Sequence, residues 1–471
     1  MSLAADLTDL LGTGRVKTDP LERLVYGRDG GISTGPVEVI VHPRTTDEVA
    51  GIVRIARRHR LPIVARGAGT GLAGGAVPTS PAVLVVLTRM NEVHEVDPAA
   101  RTAWVGPGLI NLELSQHTAP HGLHYAPDPS SQSTCTIGGN VATNAGGPHC
   151  LADGTTVAHI LGLELVTADG EVVLLGSAAP DPIGLDLRGV VVGSEGTVGI
   201  VTRVLVRLTP DAPATRTLLL AFGDTADAAA AVSDTVAAGV IPAALEMLDR
   251  RIVQTIENWI HAGFPTDAAG VLLAELAGHP AAVEAETEIL TEIAHRHGAS
   301  SVRVATDPAE AVQWWKGRKA AFGAVAQLAP DYYLHDTVVP RSRLVEVLDK
   351  VDEIADRYGL EVMNVFHAGD GNLHPLMPFD STEPGTLQRV KAAADEIVAA
   401  SVEAGGTLSG EHGIGLEKKD LMSLVFSPID LDAQARLREA FDPAGLLNPD
   451  KILPAGSRCF DYGRPPAASS R

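Results

Sequence analysis

The chain is expected to fold as an α+β protein of two domains, and three observations lead there. Its 471 residues exceed what one ordinary hydrophobic core holds. Short β-branched runs broken by Gly and Pro dominate residues 37–212. From 213 onward, strands alternate with long helical periods. The division drawn is an N-terminal arm over 1–36, a first domain over 37–212, a second over 213–425, a C-terminal segment over 426–455, and a loose Pro/Ser/Ala-rich tail over 456–471.

Thr45 and Glu48 have the spacing of a capping box. They open a helix whose apolar positions Val49, Ile52, Val53 and Ala56 share one face and which ends before Leu61-Pro62. A strand at 62–65 runs into glycine, and further strands are expected at 83–87, 163–167, 190–192 and 200–208. The second domain reads as strand 217–222, helix 226–238, strand 271–276 and helix 283–297. A helix capped by Asp307 with Pro308 at its first position follows, then a strand near 332–339, a helix at 341–358 and a hairpin at 361–378. The last stretch, 430–453, is helical as far as Phe441 and is stopped by Asp442-Pro443 and Asn448-Pro449.

Composition narrows the function classes. Apolar runs end at Gly, Pro or charge before membrane-spanning length, so no transmembrane helix is expected. The start MSLAADLTDLLG lacks a basic region followed by an apolar run, so no signal peptide is expected either. The protein is read as cytoplasmic, reaching a membrane only through a partner. Cys135, Cys150 and Cys459 form neither a disulfide framework nor a metal-binding spacing. A formal net charge of −21 disfavours nucleic acid, and an anionic substrate would need a local positive site.

Three glycine-rich loops stand out. The first, Arg66-Gly-Ala-Gly-Thr-Gly-Leu-Ala-Gly-Gly75, contains G-x-G-x-x-G at 69–74. A nicotinamide-dinucleotide site would need that motif to open a helix, and Pro78 and Pro81 stop one before the next strand. Backbone N–H groups arranged as a nest are therefore expected to hold the phosphates. The second cluster spans 133–147, preceded by Pro127-Asp-Pro-Ser-Ser131. The third, 193–200, falls between two expected strands. Any one loop alone reads better as an ordinary tight turn, whereas three in one domain suit a long, polar, phosphate-containing ligand.

His367-Ala-Gly-Asp-Gly-Asn-Leu-His374 lies between apolar strands, and Asp370-Gly371 is a two-residue hairpin signal. That turn would set His367 opposite His374 with Cβ atoms about 5 Å apart, within reach of one metal ion. The other reading is two histidines on a half-buried hairpin that share nothing. Gly410-Glu411-His412-Gly413 adds a carboxylate and a third imidazole. Two His and one carboxylate suit Zn, Mn or Fe with open positions, leaving His412 outside the ligand set, as a structural residue or a base. Arg318, in Trp314-Trp-Lys-Gly-Arg-Lys319, reads from its pattern alone as part of a solvated helix face.

These motifs, in this order, resemble the FAD-linked oxidases typified by vanillyl-alcohol oxidase and p-cresol methylhydroxylase. The branch is that of D-lactate dehydrogenase, D-2-hydroxyglutarate dehydrogenase and the glycolate oxidase flavoprotein subunit, and the resemblance covers about 37–455. It implies a PCMH-type FAD-binding domain, a cap domain of antiparallel sheet with flanking helices, and a C-terminal segment returning to the FAD domain. It also implies that Arg66, Gly67, Ala68, Gly69, Thr70, Gly71 and Gly74 bind the FAD pyrophosphate. Pro127, Ser130, Gly138, Gly139, Asn140, Thr143, Asn144, Gly146 and Gly147 would line the ribityl and isoalloxazine region, completed by Gly196, Ile200 and Asn448. Thr70 stands where covalently flavinylated members often carry a His, so FAD is expected to be non-covalent.

By the same resemblance His367, His374 and Glu411 hold a divalent metal, Zn or Mn. Arg318 grips the substrate carboxylate and His412 is the base. The implied reaction is oxidation of a small D-2-hydroxy acid to the 2-oxo acid, with hydride passing to flavin N5 and electrons leaving to a quinone, a cytochrome or an iron–sulfur partner. A homodimer is compatible with this. Hydroxyglutarate-type members have a lysine two residues before the aspartate of the strand near 332–339. Here Leu334 precedes Asp336, which favours the glycolate and lactate class over D-2-hydroxyglutarate. Competing readings are a metallohydrolase and a non-catalytic electron-transfer flavoprotein subunit.

Overall fold

The computed structural model describes residues 2–179 and 184–454 and divides them into two compact units. The first comprises residues up to Ala145, Thr155–Pro210, and the chain from Glu411 onward; the second comprises Gly146–Gly154 and Asp211–Gly410. The return to the first unit therefore begins at Glu411, ahead of the residue 426 expected. The expected tail over 456–471, with Cys459, lies outside the described residues.

Among the described residues the first unit holds two larger sheets and a two-stranded pair, Leu123–His124 with Thr209–Pro210. Its first part runs α1 (Leu3–Leu11), β1 (Val16–Lys17), β2 (Val37–Val41), α2 (Thr46–His59), β3 (Ile63–Arg66) and β4 (Ala82–Val86). The sheet order is β1-β2-β4-β3, with β2, β4 and β3 parallel. β4 is five apolar residues buried on both faces, as a central parallel strand requires. The apolar face of α2 (Val49, Ile52, Val53, Ala56) packs on Val39, Val83 and Val85 beneath Leu7 and Leu11 of α1. The cap of α2 is half the box expected. Thr45 accepts from Glu48 N–H, but the Glu48 carboxylate accepts from Arg44 N–H and pairs with Arg15. Residues 67–81 contain no helix, as Pro78 and Pro81 require.

The second sheet is antiparallel, built from β5 (Val93–Asp97), β6 (Thr102–Val105), β7 (Ile160–Val166), β8 (Val172–Gly176) and β9 (Ile200–Arg207) in the order β5-β6-β9-β7-β8. α3 (Ile137–Thr143) buries Ile137 and Val141 against it. The strand expected at 190–192 is instead the end of a short helix, α4 (Leu187–Val191), begun where Asp186 accepts from Gly189 N–H. The third glycine loop thus lies between a helix and a strand.

In the second unit the chain runs β10 (Ala214–Phe222), α5 (Thr225–Ala237), β11 (Ala244–Asp249), α6 (Arg250–Ile260), β12 (Gly270–Gly278), α7 (Pro280–Arg296), β13 (Ala299–Val304), α8 (Pro308–Lys319), β14 (Asp331–Leu334), β15 (Thr337–Val338), α9 (Leu344–Tyr358), β16 (Met363–His367), β17 (Asn372–Leu373), β18 (Pro375–Phe379) and α10 (Thr386–Glu403). The sheet order is β13-β10-β12-β11-β16-β17-β15, entirely antiparallel, with β18 pairing both β16 and β14. Ile252, Val253 and Ile256 of α6 and Trp314 of α8 cover one face over Leu248, Leu273 and Val365. The chain ends in the first unit with α11 (Pro428–Phe441), whose capping box at Ser427 and Asp430 is complete. Past it, Ile63 N–H donates to Leu446 O and Asn448 N–H to Ile63 O, so the terminal segment extends the sheet beside β3. Among the described residues no helix is long and apolar enough to cross a membrane.

Candidate active site

In the first unit the loop leaving β3 and the start of α3 meet with no room for a side chain between them. A Cβ on Gly67 would fall 2.3 Å from Thr136 Oγ1, and that hydroxyl accepts from Gly139 N–H. A cavity opens here, lined by Arg66 and Gly67 of the first glycine loop, Gly138 and Gly139 of the second, and Ser194 and Gly196 of the third. All three loops singled out by sequence thus contribute to one concave surface, mostly through backbone.

The side chains of the second cluster are already engaged. Asn140 is bonded to Asn111 and Cys135, Thr143 donates to Gly139 O, and the Asn144 carbonyl oxygen Oδ1 accepts from Val157 N–H. Ile200 belongs to the core with Val39 and Val83. Ala68, Thr70, Gly71 and Gly74 lie along the first loop beyond the cavity wall, and Pro127 accepts from Asn111 through its carbonyl, while Ser130 is exposed. Gly146 and Gly147 fall in the second unit.

Asn448 is buried and donates from Nδ2 to Gly75 O and Glu195 O. Glu195 was not anticipated. One oxygen of its buried carboxylate accepts from both Ile414 and Gly415 N–H, fixing the turn just past His412. Burial pushes the Glu195 carboxyl up, opposed by those two N–H groups and by Lys451 and Lys418. Lys451, whose Nζ donates to Val77 O, is in turn pulled down to about 8, chiefly by burial.

In the second unit the two hairpin histidines meet, but not as the turn signal implied. The register pairs His367 with Asn372 across a four-residue loop, so His374 is a diagonal neighbour two positions on. A slip of two keeps a side chain on the same face. The imidazoles therefore still approach edge to face, with centroids 5.0 Å apart. His374 Nδ1 lies 3.1 Å from His335 O, a carbonyl that can only accept, so Nδ1 carries the proton. His367 Nδ1 lies 2.7 Å from Glu246 Oε1. Both rings are thus anchored through Nδ1, as a histidine that ligates a metal through Nε2 is anchored to a carboxylate or carbonyl.

Glu411 follows Gly410 directly, and Asp336 fixes that approach by accepting from Gly410 N–H and Ser409 Oγ. One ligand atom from each of His367, His374 and Glu411 falls within 4.8 Å of the others. Two anchored imidazoles and a carboxylate at this spacing fit a divalent ion such as Zn or Mn. His412 Nε2 is 3.8 Å from Glu411 Oε1.

Arg318 is not on a solvated face. It is 1 % exposed, its Nε donates to Glu246 Oε2 at 2.6 Å, and Nη2 lies as close to that oxygen without aligning to bond it. Burial would raise the Glu246 carboxyl, but Arg318 and His367 hold it down at about 2. Sequence reasoning passed over Glu246. Its signal was one carboxylate in Ala244-Leu-Glu-Met-Leu248, a strand apolar on both faces, where an acid requires buried partners.

The first unit thus carries a glycine-loop cavity and the second two anchored histidines beside a buried Arg318–Glu246 pair, the arrangement expected of a two-domain flavin-dependent oxidoreductase. Comparison with known proteins agrees. Residues 37–176 match the FAD binding domain, and residues 212–452 match the C-terminal domain of FAD linked oxidases. The chain belongs to the FAD-linked oxidase family. It is 46% identical to the glycolate oxidase subunit GlcD of Escherichia coli K12, over 94% of this chain and 89% of that one. It is 32% identical to a D-lactate dehydrogenase of Anaerostipes hadrus, over 92% and 91%. The solved structure of p-cresol methylhydroxylase with substrate bound aligns with a TM-score of 0.80 over 96% of each chain at 18% identity, which shows the shared fold.

Proposed function

We propose that the protein oxidises a small D-2-hydroxy acid of the glycolate or D-lactate class to its 2-oxo acid. The observation that carries this reading is the grouping of His367, His374 and Glu411, whose two imidazoles are anchored through Nδ1 on the sheet of the unit that also buries Arg318. When bound, FAD would supply the hydride acceptor at N5, and a divalent ion held by His367, His374 and Glu411 would supply Lewis acidity toward the 2-hydroxyl. The residues named at the glycine-loop cavity are assigned to FAD, held without a covalent bond since Thr70 offers no tether. Arg318, with a buried Nη2 not aligned to an acceptor, receives the substrate carboxylate. His412 takes the proton of the 2-hydroxyl as the C–H bond breaks.

Leu334 two residues before Asp336 supports a monocarboxylate over a hydroxyglutarate, because a second acid group would lack a lysine there. The Escherichia coli relative is named as a subunit, which supports reoxidation by a separate quinone-, cytochrome- or iron–sulfur-linked acceptor. The test is the visible spectrum of the yellow protein under anaerobic addition of glycolate, D-lactate and D-2-hydroxyglutarate in turn. Bleaching by one of the first two is expected. A spectrum that none of the three alters would overturn the reading in favour of an electron-transfer subunit.

A further inference from the structure

Glu246 is 0 % exposed and stands directly across the ladder from His367, on the neighbouring strand β11. Its two oxygens serve different partners: Oε1 faces His367 Nδ1 at 2.7 Å and Oε2 accepts from Arg318 Nε at 2.6 Å. A carboxylate shared in this way can orient both groups at once, because the guanidinium only donates and so fixes which oxygen remains for the imidazole. From this geometry we infer that Glu246 is a positioning residue that turns the Nε2 edge of His367 toward the metal and sets the orientation of Arg318. The inference rests on the metal and substrate roles proposed above.

An ordinary buried salt bridge would also place Glu246 beside Arg318, so the test must separate the two. FAD-loaded full-length protein is treated with chelator and titrated with Zn, and Co(II) is used as a spectroscopic probe of the ligand field. In Glu246→Gln the amide cannot accept from both partners. Zn affinity is expected to fall ten- to a hundredfold, with an altered Co(II) spectrum and FAD still near one per chain. Arg318→Met leaves the Glu246 to His367 bond intact, and its Zn affinity is expected to stay within about threefold of the parent while KM for the hydroxy acid rises.

If Glu246→Gln fails to fold because it strands the Arg318 charge, the double variant Glu246→Met with Arg318→Met removes that charge. It still deprives His367 of its acceptor, so the same loss of Zn affinity is expected. Equal losses in Arg318→Met and Glu246→Gln, or no loss in either Glu246 variant while the parent binds Zn tightly, would overturn the inference alone. A parent protein that binds neither Zn nor Co(II) would overturn both the inference and the metal reading beneath it.

Discussion

His412 lies on a turn that Glu195 secures from behind, one residue past Glu411. Replacing it by Ala removes an imidazole without disturbing those backbone bonds. Flavin reduction by substrate should slow by about 10²- to 10⁴-fold while bound FAD stays unchanged; anaerobic stopped-flow absorbance measures the first and the visible spectrum the second. Gly413 has φ +84°, and a Cβ there would fall 2.8 Å from Glu195 Oε1. Gly413→Ala should therefore cost more than about 1 kcal/mol, read as a lower denaturation midpoint. A wild-type midpoint would mean that the turn relaxes freely. At this scale the sequence pointed to the candidate cluster, because His367 and His374 occupy a short polar motif between apolar strands and Glu411 sits between glycines. It concealed the groups that hold them. Glu246, Glu195 and Asp336 act through partners 121, 219 and 74 residues away, and no local spacing encodes such pairings.

Among the elements, the junction of β11 and α6 carries a pH-sensitive group. Asp249 caps α6 by accepting from Ile252 N–H, and its other oxygen accepts from Asn364. Burial, opposed by those bonds, raises its carboxyl to about 6. The folded state thus binds this proton more tightly than the unfolded chain, so the contribution is fully present below the ordinary 3.8 and is lost as pH rises through about 6. Its span is about 3 kcal/mol. Comparing unfolding free energies of the parent and Asp249→Asn across pH 4 to 7 should show the variant lacking this downward slope, and parallel curves would refute the assignment. Elements were misread where one signal had two physical causes. Asp370-Gly371 looked like a two-residue turn, yet it closes a four-residue loop in which Gly371 takes φ +78° and a Cβ would also fall 2.0 Å from Val339 O. The β-branched run at 190–192 looked extended, but the Asp186 cap and packing of Val191 in the core make it helical.

For the molecule as a whole, composition and the change of rhythm near 213 made two α+β units legible, while strand order was not. β4 sits between β2 and β3, and β16 adds to β11 across more than a hundred residues, through pairings that depend on tertiary closure and leave no mark on local periodicity. The two proposed ligand sites share no residue, which leads to a last expectation. FAD is assigned to the glycine-loop cavity and the metal to His367, His374 and Glu411, so removing one should leave the other in place. A ligand present at a hundred times its Kd stabilises the state that binds it by about 2.7 kcal/mol. Chelator treatment should therefore lower the thermal midpoint while the protein stays yellow, and added Zn should restore it. Acid precipitation should release all the flavin into the supernatant, as expected without a covalent tether. Flavin lost in step with the metal on chelation would show that the two sites form a single binding unit, and colour retained in the acid pellet would show a covalent bond to FAD.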